Sequence, residues 1–302
     1  MLVVAALGGN ALLKRGERLS AENQRTNVRK AAHALAEIVR AGHRLVVTHG
    51  NGPQVGLMAL QAAAGPADGQ YPLDVLGAES EGMIGYLIEQ ELRNALPERK
   101  LFATLLTQSL VNGDDPAFRK PTKPIGPVYD EAVARELAAA RGWSIAPDGR
   151  HWRRVVASPR PMQILEIAEI ALLSRSDAVV ICAGGGGIPV TQEPDGTLRG
   201  VEAVVDKDLA SALLAAGLEA DRLLLLTDVD AVYLDYGTDR ERALRRATPE
   251  QLRQHAFAAG SMGPKVEAAA GFAEATGKVA AIGRLEDAVR LLSGEAGTRI
   301  EP

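Results

Sequence analysis

Short apolar runs alternate with longer amphipathic stretches along this chain, and no other feature constrains its fold as much. That alternation is how a parallel sheet covered by helices is written in sequence. Residues 2–7, 44–48, 101–106, 178–183, 223–226 and 279–282 read as strands, each separated from the next by at least one helical pattern. Their nearly unbroken apolar character suits strands buried on both faces. Ser20 is placed to cap a helix whose apolar positions Val28, Ala31, Leu35 and Ile38 recur every three to four residues and which ends near Gly42.

Residues 112–161 break the rhythm. Asp114-Asp115-Pro116, then Pro121, Pro124 and Pro127, precede a helix from Asp130 and a hairpin turning at Pro147-Asp148-Gly149, so the segment reads as an inserted flap. A second hairpin is expected at Pro194-Asp195-Gly196-Thr197. With 302 residues, 46% of them hydrophobic, the chain can bury a large core as one α/β domain or two closely joined lobes. A net charge of −4, from 34 basic and 38 acidic residues, offers no field that would gather nucleic acid or an anionic membrane. Any anion site must therefore be local. The single cysteine, Cys182, lies in the apolar run Val179-Val180-Ile181-Cys182-Ala183 and reads as core rather than nucleophile. The apolar start lacks a basic leader, and no apolar stretch approaches the roughly 20 residues of a membrane-spanning helix. A soluble, cytoplasmic protein with neither nucleic-acid nor membrane partners is expected.

In an open parallel sheet, ligands bind beyond the carboxyl ends of the strands. Four loops fall there. Gly8-Gly9-Asn10 follows the first strand, and Gly50-Asn51-Gly52-Pro53 follows the second, with Pro53 suited to a helix's first turn. Glycine lets backbone N–H groups approach an anion, so two such loops side by side suit one small anion. Gly184-Gly185-Gly186-Gly187 is too costly in conformational entropy for a simple turn, and close approach to phosphates is the better account. Thr227-Asp228-Val229-Asp230 puts a carboxylate where it would meet ribose, base or metal, or would merely cap a turn.

Three lysines stand in non-helical or helix-start contexts: Lys123 between Thr122 and Pro124, Lys207 between Asp206 and Asp208, and Lys265 after Ser261-Met262-Gly263-Pro264. A helix start disfavours a cation, so a bound anion would offset the penalty at Lys207 and Lys265. Phosphoryl transfer asks for such charge more than for covalent chemistry. The chain has no Walker phosphate loop, no protein-kinase motifs and no dinucleotide fingerprint. Its histidines (His33, His43, His49, His151, His255) lack metal-ligand spacing, and His49, alone near a candidate site, reads as a core or supporting residue.

The ordered set Ala6-Leu7-Gly8-Gly9-Asn10, Thr48-His49-Gly50-Asn51-Gly52-Pro53-Gln54, Pro121-Thr122-Lys123-Pro124, Gly184 to Gly187, Val205-Asp206-Lys207-Asp208 and Ser261-Met262-Gly263-Pro264-Lys265 resembles the carbamate kinases of the amino-acid kinase superfamily. The likeness runs essentially end to end. It implies one amino-acid kinase domain over 1–302: an open, mostly parallel eight-stranded sheet between helices, with an acceptor half (1–177), a flap at 112–161 and a nucleotide half (178–302). On the same footing, Gly8, Gly9, Asn10, Gly50, Asn51 and Gly52 would hold carbamate and the transferring phosphoryl group. Lys123, Lys207 and Lys265 would neutralise phosphates, with Asp208 orienting lysines. Gly184, Gly185, Gly186, Asp228, Met262 and Gly263 would lie against ATP or ADP, with Mg²⁺ riding mainly on the nucleotide phosphates. A homodimer making ATP from carbamoyl phosphate in arginine or related breakdown is implied. Glu79 and Glu81 depart from the family's Met or Gln, which bears on the local surface or subunit contact and not on the chemistry. A sibling acid kinase and a non-catalytic nucleotide or metabolite sensor on the same fold are the alternatives, and the Lys123 flap and the three lysines respectively argue against them.

Overall fold

The chain begins with β1 (Leu2–Leu7), buried throughout because none of its six side chains is polar. The computed structural model describes residues 1–13, 17–18, 20–65, 71–96, 100–258 and 260–302, with only the backbone of Asn10 and Ala63. A single helical turn, α1 (Gly9–Leu12), leads to α2 (Ala21–Arg40), β2 (Arg44–His49), α3 (Gly52–Ala64), α4 (Leu73–Ala95) and β3 (Phe102–Thr104). The middle of the chain holds β4 (Gln108–Val111), β5 (Lys123–Tyr129), α5 (Glu131–Arg141), β6 (Ser144–Asp148), β7 (His151–Val156) and β8 (Pro161–Ile164). Next come α6 (Ile167–Arg175), β9 (Val179–Ile181), β10 (Ile188–Gln192), β11 (Leu198–Gly200), α7 (Lys207–Gly217) and β12 (Arg222–Thr227). The remainder is β13 (Val232–Leu234), β14 (Arg242–Leu244), β15 (Arg246–Ala247), α8 (Pro249–Arg253), α9 (Met262–Thr276), β16 (Val279–Arg284), α10 (Ala288–Ser293) and β17 (Thr298–Ile300).

The main sheet has eight strands in the order β15-β17-β16-β12-β1-β2-β9-β3, and every pairing is parallel except β16 with β17. All six strands expected from the sequence lie in it. Successive side chains of a strand point to opposite faces, and each face has its own core. Val4, Ala6, Val46 and Leu225 join Leu214 of α7 and Phe272 of α9. Val3, Ala5, Leu7, Val47 and Leu224 join Leu35 of α2 and Ile88 of α4. Ser20 caps α2 by accepting from the Asn23 N–H at 3.2 Å, and Val28, Ala31, Leu35 and Ile38 form its buried stripe. No helix among the described residues is long and apolar enough to cross a membrane.

Because these strands are parallel, the carboxyl ends of β1, β2, β9, β12 and β16 share one edge. β1 leads to β2 on one side and has β12 on the other, so the connections diverge at its end.

Two smaller sheets sit beside this edge. One is four-stranded, β11-β10-β4-β8, and contains the hairpin at Asp195-Gly196; the other is three-stranded, β5-β7-β6, and contains the hairpin at Gly149. The three-stranded sheet docks on α3 through bare backbone. A Cβ added to Gly56 would lie 2.0 Å from both N and Cα of Gly126, and Gly126 itself has φ +71°. Gly56→Ala should therefore push β5 off α3. The expected loss is about 1–3 kcal/mol of unfolding free energy, the scale of overpacking, with faster proteolysis within residues 123–156. Denaturant unfolding and limited proteolysis check this, and parental values for both would show that the two backbones separate without cost.

Candidate active site

The amino end of α7 gathers the site. Asp206 caps the helix, its Oδ1 accepting from the N–H groups of Asp208 at 2.9 Å and Leu209 at 3.4 Å. Its Oδ2 receives Lys123 Nζ at 2.5 Å, across 83 positions of sequence. Within the first turn of the helix, Asp208 accepts from Lys207 on Oδ1 and from Lys265, in the first turn of α9, on Oδ2 at 3.0 Å. The three lysines singled out in the sequence are thus brought together by two aspartates.

The five side chains carry a net single positive charge. Asp208 is buried, which favours its neutral form, but the two ammonium groups outweigh burial and hold its carboxyl well below the usual range. Burial pulls the Lys207 ammonium downward, Asp208 opposes that, and Lys265 adds to it. Ionised Asp208 between two ammonium groups is the state that leaves neither buried lysine without a counter-charge.

The first two glycine loops close against this cluster. Gly8 lies under the end of β12: its N–H donates to the Leu226 carbonyl at 3.0 Å, and a Cβ there would sit 2.9 Å from that oxygen. A Cβ on Gly50 would lie 3.4 Å from Gly9 N and 3.7 Å from Lys207 Cδ, so both loops and the lysine stem meet at one point. Gly9 and Gly52 face open space. The side chain of Asn10 lies outside the described residues. Asn51 and Gly52 start α3, with Pro53 in its first turn as expected. Below them Thr48 Oγ1 and Ser211 Oγ, 2.6 Å apart, tie β2 to α7.

The third loop is shaped by packing as well. Each glycine has a packing reason to lack a side chain. A Cβ on Gly184 would meet His49 and Glu81, one on Gly185 would meet Asn51 at 2.2 Å, one on Gly186 the Val205 carbonyl and one on Gly187 Ser109 Oγ. Gly185, Gly186 and Gly187 also have positive φ, and Gly184, Gly185 and Gly186 are buried. Phosphate approach is not needed to account for the run. Its N–H groups are largely engaged as well: Gly184 donates to Glu81 Oε1 at 2.8 Å, Gly186 to the Ala183 carbonyl and Gly187 to the Gly184 carbonyl. The fourth loop leaves Asp228 exposed at the end of β12, with Thr227 Oγ1 donating to it at 3.1 Å. Met262 and Gly263 open α9, and the Gly263 N–H donates to the Ala258 carbonyl at 2.9 Å.

Three contributors were given no part in the site by the sequence. Asp206 stood there only as a neighbour of Lys207. Ser80 accepts from Asn51 Nδ2 at 2.8 Å and fixes the second loop. Glu81, read in the sequence only as a departure from the family's pattern, is 1% exposed. It occupies the buried stripe of α4 with Ile84, Ile88 and Leu92, a periodicity readable in the sequence. Its two oxygens accept from Gly184 N–H and from Thr107 N–H at 3.3 Å. Glu79 is exposed.

His49 and Glu81 titrate in opposite senses. Burial raises the Glu81 carboxyl from 4.5 to about 8, against the N–H groups of Gly184 and Thr107 that favour its ionised form. Burial lowers His49 from 6.5 to about 4, opposed by the Gly50 carbonyl and helped by Lys207. Between pH 4.5 and 8 the folded chain keeps a proton on Glu81 that the unfolded chain releases, so this group makes stability fall as pH rises. Between pH 4 and 6.5 the unfolded chain binds a proton that His49 refuses, so that residue makes stability rise with pH. The slopes offset each other from 4.5 to 6.5, and the Glu81 slope stands alone from 6.5 to 8. Glu81→Gln should remove its share, so that the stability difference between variant and parent grows by about 1.4 kcal/mol per pH unit across that window. Urea unfolding at a series of pH values measures this. A pH-independent difference would show that Glu81 is ionised throughout.

Known proteins show the family. Residues 1–283 match the model of the amino acid kinase family. The carbamate kinase of Rhizobium meliloti (strain 1021) is 57% identical over 302 residues, covering 99% of this chain and 93% of that protein. That of Haemophilus influenzae (strain ATCC 51907 / DSM 11121 / KW20 / Rd) is 55% identical over 300 residues, covering 99% and 96%. Among solved structures, carbamate kinase from Giardia lamblia bound to AMP-PNP superposes with a TM-score of 0.91 at 44% identity, covering 99% of this chain and 98% of that one. The chain belongs to the amino acid kinase family and, within it, to the carbamate kinases.

Proposed function

We propose that this carbamate kinase transfers a phosphoryl group in line between the β-phosphate oxygen of ADP and the oxygen of carbamate, reversibly and with Mg²⁺. The observation that carries the reading is the convergence of Lys123, Lys207 and Lys265, from three distant segments, on one helix terminus beside two open glycines. A loose transition state spreads charge over the transferring oxygens, and fixed cations stabilise that charge. Residues 1–177 would hold the acceptor at Gly8, Gly9, Asn10, Gly50, Asn51 and Gly52, and 178–302 the nucleotide, with Asp228, Met262 and Gly263 along it. AMP-PNP in the Giardia enzyme supports a nucleotide substrate. Gly184, Gly185 and Gly186 would lie on the nucleotide side, with Gly185 also shaping the floor under Asn51.

The acceptor needs no general base, since carbamate is already an anion with a nucleophilic oxygen. That fits the surroundings: His49 is held neutral, and burial pushes the Cys182 thiol well up, with Glu81 adding to it. Mg²⁺ would arrive on the nucleotide phosphates and share their charge. Asp206 and Asp208 are both engaged by lysines, and no cluster of three His, Cys, Asp or Glu side chains among the described residues is arranged to hold an ion. A homodimer, a cytoplasmic setting and a part in arginine or related breakdown rest on the resemblance to carbamate kinases alone.

Purified protein with Mg²⁺ should form ATP from ADP and carbamoyl phosphate, and should not phosphorylate glutamate, acetylglutamate, aspartate or UMP from ATP. Phosphorylation of one of those acceptors without carbamoyl phosphate activity would overturn the assignment. Within the site, Lys123→Ala should cut kcat by roughly two to three powers of ten, the scale of one transition-state donor, and change the KM for ADP much less. Lys265→Ala should weaken nucleotide binding as well as rate. Parental kcat in Lys123→Ala, with the fold verified by circular dichroism, would remove that lysine from the site.

A further inference from the structure

We infer that Asp206 is a positioning residue for the transfer step: it holds Lys123 over the site from the amino end of α7. The inference rests on the assignment of Lys123 to phosphoryl transfer and adds how that lysine is aimed. Asp206 uses one oxygen for each of two duties. Oδ1 is fixed by the helix N–H groups of Asp208 and Leu209, and Oδ2 is left to meet Lys123 Nζ at 2.5 Å. A carboxylate at a helix amino end is itself favoured by the aligned backbone dipoles. Its position is therefore set before Lys123 arrives, and the ion pair transfers that order to a long side chain that would otherwise sample many rotamers.

The other end of Lys123 is equally constrained. It is the first residue of β5, registered opposite Val156 of β7, and three residues later Gly126 of the same strand rests on Gly56 of α3. The lysine is thus anchored through its backbone to the helix that follows the Gly50 loop, and through its ammonium to the helix that carries Lys207. An ammonium has three donors, so one spent on Asp206 leaves two for the transferring group. The pair also answers a repulsion. Lys207 and Lys265 are both on Asp208, two residues on in the same turn, and without the Asp206 charge the cluster would hold three cations against one anion. Lys123, whose side chain is 37% exposed against 10% and 13% for the other two, would be the one free to leave.

Asp206→Asn separates these duties, because an asparagine oxygen caps a helix about as well as an aspartate but carries no charge. Steady-state ATP formation from ADP and carbamoyl phosphate with Mg²⁺ is measured for the parent, Asp206→Asn, Lys123→Ala and the double variant, with melting curves verifying the fold. Asp206→Asn should lower kcat about tenfold, less than outright loss of the donor, and leave the KM for ADP within about twofold. The double variant should match Lys123→Ala within about twofold, since two residues acting through one contact are not additive. If Lys123→Ala is slow but Asp206→Asn keeps the parental kcat or exceeds it, Asp206 is only a cap and the inference fails while the reading of Lys123 stands. A double variant slowed by the product of the single effects would also overturn it. Parental rates in Lys123→Ala would overturn both.

Discussion

Asp208, buried between the ammonium groups of Lys207 and Lys265, is the contact on which the rest of the site depends. Two lysines held this close, at a helix amino end whose dipole already disfavours cations, would repel one another and lose hydration together. One ionised carboxylate, with an oxygen for each, makes the arrangement possible. The partners come from different segments: α7 brings Lys207 and Asp208, and α9 brings Lys265. Both helices pack on the same face of the main sheet. The ion pairs therefore depend on that sheet holding both helices in place, which makes the site a consequence of the parallel core rather than of any local motif.

Backbone contact does for the flanking segments what charge does at the centre. Gly8 against the Leu226 carbonyl, Gly50 against Gly9, Gly56 against Gly126 and Gly185 against Asn51 are all approaches that a methyl group would block. They bring loops from β1, β2 and β9, and the three-stranded sheet, within reach of one helix terminus. Because these contacts are rigid, the lysine stems are the adjustable parts of the site, and their aspartate partners limit how far they adjust.

Much of this was legible in the sequence, for identifiable reasons. The six strands of the main sheet declared themselves because a strand buried on both faces must be apolar throughout. The lysines at 207 and 265 declared themselves because a cation at a helix start is electrostatically wrong unless something answers it. Asp208 answers both, whereas the hold of Asp206 on Lys123 joins residues 83 positions apart and has no local signal. The glycine run at 184–187 was noticed for a sound reason, its entropic cost, and attributed to phosphates. Sequence could not reveal that His49, Asn51, Val205 and Ser109 crowd it, since those contacts join residues far apart in the chain. Glu81 illustrates the opposite case. Its place in the apolar stripe of α4 was present in the pattern, but a carboxylate ordinarily argues for solvent, and that expectation overrode the periodicity.

The buried ionisable groups around the site share one property, and it bears on the chemistry. His49 is neutral at physiological pH, the Cys182 thiol is protonated, and Asp208 is ionised and filled by two donors. None is poised to exchange a proton with a substrate at neutral pH. An enzyme that had to deprotonate an alcohol or amine would gain from tuning one of them toward neutrality. A carbamate oxygen gives no such reward, whereas a stray proton at the transferring group would weaken its attraction to the lysines. Glu81, which burial raises to about 8, is the exception, and its two oxygens are taken up by the N–H groups of Gly184 and Thr107 rather than by a lysine. The site is left with what charge transfer between two anions demands, which is positive charge held in fixed places.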